Sequence, residues 1–306
     1  MLYKIEKYIH LKNIIKKRGL SMERYKDAKI ASIVGISGNI FLLIIKSIIG
    51  FLTNSQAMIS DALNSAGDIV SSVMTFIGNR ISSKEADDDH NLGHGKAEYI
   101  FSLLISIIMV YFSVKMIISS VKSLFCEQSY HFSIGLLYVC FITIVVKFCM
   151  YLYTIKLAKK YNNLLLNANA SDHRNDCVLT TMNLLAAIFA MNKIYFVDSV
   201  VGILVSSWIF FVGAKLFKDA YDVLMDKSMD ENLRKKIEDI IDNCESVKKM
   251  NHFNSTPIGY QYQISVTIFV DGNLTTFESH EIANQLEKQI SALDEVYLTV
   301  IHVNPL

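Results

Sequence analysis

The sequence predicts an α-helical membrane protein with six transmembrane helices, followed by a C-terminal cytoplasmic α+β domain. Three observations predict it. Of the 306 residues 52% are apolar, the mean hydropathy is +0.32 and there are only two prolines, values foreign to ordinary soluble enzymes. Apolar runs recur at about 30-residue spacing, each near the roughly 20 residues that cross a bilayer. From about Met229 onward the runs stop, and shorter helix-period and strand-period patterns take over.

Residues 1–28 form a basic N-terminal segment with Lys16, Lys17 and Arg18 at its centre. It suits either an amphipathic lead-in against anionic lipid or a flexible tail. Lys4, Lys7 and Lys12 precede no short apolar core with a small-residue cleavage site, so no removable leader is expected. Residues 29–226 are the expected transmembrane domain, with spans at about 30–52, 56–81, 97–121, 133–155, 171–191 and 196–217. Thr53-Asn54-Ser55 separates the first two as a tight turn. Basic residues set the orientation. Lys84, Lys96, Lys156, Lys159, Lys160, Lys215 and Lys218 share a side with the N-terminal run, and the opposite connections carry little beyond Lys122 and Lys193. Both termini are therefore expected in the cytoplasm.

Residues 227–306 complete the chain. Leu233, Ile237, Ile240 and Ile241 keep helical spacing. Tyr262, Ile264, Val266, Ile268 and Val270 then alternate as in a half-buried strand. Phe277, Ala283, Leu286 and Ile290 restore a helix, and Val296 to Val303 is a final strand. This length is enough for a small domain with its own core.

Composition excludes several functions. A formal net charge of +1 is no basis for bulk nucleic-acid binding. Cys126, Cys140, Cys149, Cys177 and Cys244 show no close pairing, so neither a disulfide framework nor a zinc knuckle follows. Nothing resembles a nucleotide loop, a nucleophile elbow or a soluble acid–base site; an enzyme is not expected, nor a bound cofactor.

The chemistry lies in the polar residues of the spans. Asp172 and Asp176 stand at i and i+4, one turn apart on a helix face. Ionisable groups at membrane depth are costly and mark ion pathways; the plain alternative is a pair of helix-end carboxylates held by arginine or lysine. Asn64 and Asp68 repeat the i, i+4 spacing in the second span. Across a helix pair the four side chains supply oxygen ligands for a divalent cation. Asn64 and Asp61 also suit simple interhelical hydrogen bonding. Carboxylate and amide oxygens favour Mn²⁺, Mg²⁺ or Fe²⁺ over Zn²⁺, unless a rotated fifth helix offers His173 instead. A second cluster, Asp87-Asp88-Asp89-His90-Asn91-Leu92-Gly93-His94, either holds a metal or is a solvated acidic loop that concentrates cations.

With these motifs in hand, the chain resembles the cation diffusion facilitator family over about residues 28–306. The resemblance rests on Asn54-Ser55-Gln56-Ala57, Asp61 and Asp68, then Gly93-His94-Gly95-Lys96-Ala97-Glu98. Further along it rests on Asp172-His173-Arg174-Asn175-Asp176, Leu224-Met225-Asp226 and Val300-Ile301-His302-Val303-Asn304-Pro305. It implies a homodimeric metal–proton antiporter with a ferredoxin-like dimerisation domain. It places the transport site on Asn64, Asp68, Asp172 and Asp176 and a loop site on Asp87, His90 and His94. It also implies a structural contact between Lys96 and Asp226. Zinc-transporting members usually carry histidine at one or both of the places of Asn64 and Asp172; this departure resembles the manganese branch. In the C-terminal domain His280 and His302 match zinc ligands, but Asn251, Thr267 and Asn304 do not, which favours dimerisation over a zinc cluster.

The reading is export of a divalent cation, Mn²⁺ foremost, against protons across the cell membrane, with Fe²⁺, Zn²⁺ or Co²⁺ as alternative cargo. The rival from another class is a non-transporting metal sensor or scaffold.

Overall fold

The apolar runs become helices where the periodicity places them. A computed structural model describes residues 2–52, 56–123, 125, 134–191 and 196–306. The side chains of 2–21, 50, 56–61, 63, 64, 123, 134–136, 183, 186–191, 196–199 and 201 lie outside that description. The helices are α1 (Leu2–Leu52), α2 (Gln56–Ser82), α3 (Ala97–Ser123), α4 (Ile134–Tyr161), α5 (Leu164–Met191) and α6 (Phe196–Leu224). The turn expected at Thr53-Asn54-Ser55 lies outside the described residues. Both prolines, Pro257 and Pro305, fall after these helices, so none is kinked by a missing N–H.

The lead-in and the first span are one continuous helix, α1, with no break near residue 28. Helix α5 begins at Leu164, a turn or two before the expected 171, because the α4–α5 joint is very short. Asn162 turns the chain in the left-handed region at φ 46°, which asparagine tolerates. Asn163 then caps α5, its Oδ1 accepting the Leu166 N–H at 2.8 Å. The buried Glu98 of α3 accepts the Leu164 N–H at 2.9 Å.

The chain divides into two units, one of Tyr25–Ile81 with Ala97–Tyr221, the other of Met1–Arg24, Ser82–Lys96 and Asp222–Leu306. Among the described residues, Met22–Ile49, Ala97–Lys122 and Leu137–Tyr161 are long and apolar enough to cross a membrane. The first unit hides its small and polar residues. Ser32, Asn39, Ser65, Ser72 and Ser102 are fully buried, while Ile44, Phe41, Ile107 and Phe141 are exposed. That distribution suits helices solvated by lipid and packed through small side chains.

The second unit contains α7 (Glu231–Asp242), β1 (Lys249–Ile258), β2 (Gln261–Val270), α8 (Thr276–Ser291) and β3 (Val296–Pro305). Asp230 caps α7 by accepting the N–H groups of Asn232 and Leu233 at 3.0 Å, and Thr275 with Glu278 forms a capping box on α8. The sheet order is β1-β2-β3, with β1–β2 antiparallel and β2–β3 parallel. Helix α8 makes the crossover that a parallel pair requires. Ile264, Val266, Ile268 and Val270 pack with Leu233, Ile237, Ile241, Leu286 and Ile290 in one core.

Strand β1 is an addition to the expected elements. Asn251, His252, Asn254 and Pro257 blur its alternation, and a bulge between Asn251 and Asn254 holds His252 at φ 48°. Proline is tolerated because β1 is an edge strand. Phe277, expected to help restore the helix, lies in the first turn of α8 and is exposed.

Candidate metal sites

Three helices bring one lysine and the carboxylates together. Lys147 lies 15 residues before Asn162 on α4, and Asp176 lies 13 after Asn163 on α5. The short joint folds the two helices back on each other, so these near-equidistant residues meet. The Lys147 ammonium is 2.5 Å from Asp176 Oδ2 and 2.6 Å from Asp68 Oδ2 on α2. Its side chain is 1% exposed, whereas those of Asp68 and Asp176 keep 17% and 24%. Asn39 of α1 braces the α2 side, its Nδ2 donating to the Asp68 carbonyl at 3.2 Å and to Ser72 Oγ at 3.1 Å. Asp172, one turn before Asp176, lies within electrostatic range of Asp68 and Lys147.

The Asn64 side chain lies outside the described residues, as do those of Asp61 and the Asn54-Ser55-Gln56-Ala57 motif. His173 is buried, with no partner for either ring nitrogen among the described residues. Its Nε2 is 3.6 Å from where a Cβ on Gly35 would stand, and Ser72 Oγ is 3.0 Å from the same point. The ring therefore packs towards α1 and α2, and it makes neither ion pair.

Lys147 was not among the residues expected here. The reading of carboxylates held by a basic side chain applies to Asp68 and Asp176, but the base comes from the middle of α4. The signal was present, since Lys147 is the one charged residue in the run 133–155, and an ionisable group at membrane depth is rarely idle. Breaking one partner from such a buried pair costs about 3–5 kcal/mol, so each carboxylate depends on the lysine as much as the reverse.

The loop after α2 gathers Asp87, His90 and His94, whose nearest ligand atoms all lie within 4.8 Å of one another. Among the described residues it is the one such cluster of three or more. Asp87 Oδ1 accepts the His90 N–H at 2.7 Å and lies 3.3 Å from His90 Nδ1, while Asp87 Oδ2 is 3.4 Å from His94 Nε2. The backbone N–H of His90, followed by its ring, holds the Asp87 carboxyl below its ordinary value. Gly93 turns the loop at φ 78°, a conformation that costs glycine little. His94 Nδ1 is 3.3 Å from the Glu85 carbonyl. Donation there leaves Nε2 with its lone pair towards Asp87, the orientation a ligating histidine needs.

This loop packs on the C-terminal hairpin within the second unit. A Cβ on Gly95 would stand 2.9 Å from Gly259 Cα, so the two backbones touch where only glycine fits. Close by, Lys96 Nζ donates to Asp226 Oδ1 at 2.7 Å, the contact that the resemblance implies. Asp226 ends the α6 region in the left-handed conformation, φ 57°. His280 and His302 are exposed. His302 pairs with Thr267, which pairs with Asn251, in one row across the sheet.

Two family models match the chain in succession. The family described as cation efflux transmembrane domain matches residues 32–225, and the one described as cation efflux protein, cytoplasmic domain, matches 229–306. The manganese efflux system protein MneP of Bacillus subtilis is 30% identical over 94% of this chain and 99% of its own length. MneS of the same organism is 29% identical over 93% and 99%. The magnetosome protein MamM of Paramagnetospirillum magneticum is 27% identical over 84% and 81%. The chain belongs to the cation diffusion facilitator family of multi-pass membrane transporters that export metal cations.

Proposed function

We propose that this protein exports Mn²⁺ from the cytoplasm in exchange for protons. The observation that carries the reading is the meeting of Asp68 and Asp176 at one point between the helices, with Asp172 one turn before Asp176 on α5. With Asn64, four residues before Asp68 in the sequence, the proposed donor set is all oxygen, which suits Mn²⁺ better than Zn²⁺. The similarity to the two manganese efflux proteins of Bacillus subtilis supports the same cargo. The carboxylates bind either a cation or protons, so a proton gradient favours metal release on the far side. Rocking of the helices exposes the site to each side in turn.

In this reading all six helices cross the cell membrane, with both termini cytoplasmic and divisions near residues 28 and 226. Asp87, His90 and His94 capture the cation at the cytoplasmic mouth. The domain 227–306 is ferredoxin-like and joins two copies into a homodimer, without needing a zinc cluster.

The test is initial uptake into liposomes of Mn²⁺, Fe²⁺, Co²⁺ and Zn²⁺ under an opposing proton gradient. Mn²⁺ should move fastest and should stop when the gradient is collapsed. Asp176→Ala should reduce every flux by at least about a hundredfold, the scale of losing a charged ligand in a buried site. Gradient-independent flux, or a folded Asp176→Ala that still transports, would overturn the reading.

A further inference from the structure

We propose that Lys147 is a tethered rival to the transported cation. Its ammonium holds the two carboxylate oxygens that a divalent metal needs, and metal binding displaces it within the protein. This rests on the transport reading above and adds the residue that sets how firmly the site keeps its cargo.

The ammonium lies 2.6 Å from Asp68 Oδ2 and 2.5 Å from Asp176 Oδ2. A metal ion coordinated by both oxygens at roughly 2–2.5 Å would fill nearly the same volume. The two cations exclude each other there, by size and by charge. Exposure gives each an approach: the carboxylates keep 17% and 24% of their side-chain surface, and Lys147 keeps 1%. An ion can therefore reach the carboxylates without first passing the lysine, which is the more deeply buried partner.

A displaced ammonium must still be satisfied. Two buried acceptors without partners among the described residues stand ready. Thr143 Oγ1 lies one turn before Lys147 on α4, and Asn39 Oδ1 belongs to the amide that braces Asp68. The ammonium changes partners and keeps its charge, so no proton need leave it. Remaining nearby, it offsets one of three carboxylates and brings the loaded site close to neutrality, which lowers the cost of a charged site at membrane depth.

The competing account is a permanent clamp that joins α2, α4 and α5 and never opens. The two differ in sign. Without its rival, the site in Lys147→Met should bind Mn²⁺ at least about tenfold tighter, the scale of a charge-assisted hydrogen bond removed from competition. Its KM should fall, and its maximal rate should fall too, because nothing returns to the carboxylates to speed release. Lys147→Arg should shift the other way and bind Mn²⁺ more weakly than wild type, since a planar guanidinium holds two carboxylates more firmly. The measurement is calorimetric Mn²⁺ binding to the full-length protein in nanodiscs, paired with initial uptake rates in liposomes. Equal or weaker binding by a folded Lys147→Met overturns the proposal. If that variant does not fold, a Lys147→Arg that binds as tightly as wild type overturns it. Wild type that binds Mn²⁺ without moving it defeats the transport reading and leaves the affinity order to decide the role of the lysine. Wild type that binds no divalent metal overturns both.

Discussion

In the C-terminal domain Ile237, Ile264, Ile268 and Ile290 are 0% exposed, whereas in the membrane unit Ser32, Asn39, Ser65, Ser72 and Ser102 hold that place. The difference teaches what each surrounding solvent rewards. Water drives apolar area inward at about 25 cal/mol per Å², so residues 227–306 sort their isoleucines to the inside of the sheet. Lipid offers apolar side chains no such gain. The membrane unit instead packs through small residues and puts polar groups where they can find each other. Lys46 Nζ donates to Ser65 Oγ at 3.0 Å there, and the Lys147 cluster occupies the same kind of interior. The core of the C-terminal domain is apolar, and the interior of the membrane unit is where buried polar and charged side chains meet.

The largest test of this contrast changes the proposed ligand chemistry. Asn64→His with Asp172→His replaces an amide and a carboxylate by imidazoles. Zn²⁺ prefers nitrogen donors and Mn²⁺ accepts oxygen, and the change removes one negative charge. Metal-by-metal uptake should show Mn²⁺ flux falling by at least about tenfold while Zn²⁺ flux is kept or gained. A double variant that still prefers Mn²⁺ would mean the ligands are wrongly assigned, with His173 the first alternative.

A truncation of identical chemistry in both regions sharpens the comparison. Ile290→Ala in the C-terminal core should destabilise that domain by about 3 kcal/mol, the range for a fully buried large-to-small change. Ile44→Ala, at a position 52% exposed in α1, should shift stability by no more than about 0.5 kcal/mol. Denaturation of each variant in the same bilayer mimic gives both numbers. Similar costs would place Ile44 against protein and not lipid.

The smallest effect is expected at the loop. His90→Ala with His94→Ala should raise the apparent KM for Mn²⁺ by a few-fold and leave the maximal rate near wild type, because two of the three ligands, Asp87 and His90, are exposed and each contributes little. Complete loss of flux in folded protein would put the loop on the essential path. The pH dependence has a definite sign. Asp87 sits below its ordinary value of 3.8 because the His90 N–H donates to its ionised form. The contribution of that turn to stability is therefore full above 3.8 and lost as pH falls through the lowered value. A carboxyl-carbon NMR titration should find Asp87 still ionised at 3.8; a midpoint at or above 3.8 would mean the turn does not form.

Much of this architecture was legible before any coordinates. The spacing of apolar runs located the long helices but not their ends, and the alternation from Tyr262 to Val270 located β2, because burial on one face leaves a period in the order of residues. The i, i+4 spacing of Asp172 and Asp176 put both carboxylates on one face of α5 for the same reason. Strand β1 was hidden because an edge strand needs only one hydrogen-bonded neighbour and tolerates Asn251, Asn254 and Pro257. The early start of α5 depended on Asn163 and Glu98 supplying caps across 66 residues of chain in the case of Glu98 to Leu164.

By itself, then, the order of residues determined which segments are apolar enough for long helices and which carboxylates share a helix face. Only tertiary structure decided what those carboxylates touch. A lysine in an apolar run is visible in sequence as an anomaly, but its partners are not, because Asp68 and Asp176 lie 79 and 29 residues away. Ion pairs at that separation follow from how α2, α4 and α5 pack, and packing depends on the shapes of all the small residues between them. The same limit applies to the loop. Sequence counts its acids and histidines, while the turn at Gly93 and the Asp87–His90 hydrogen bond select the three that meet.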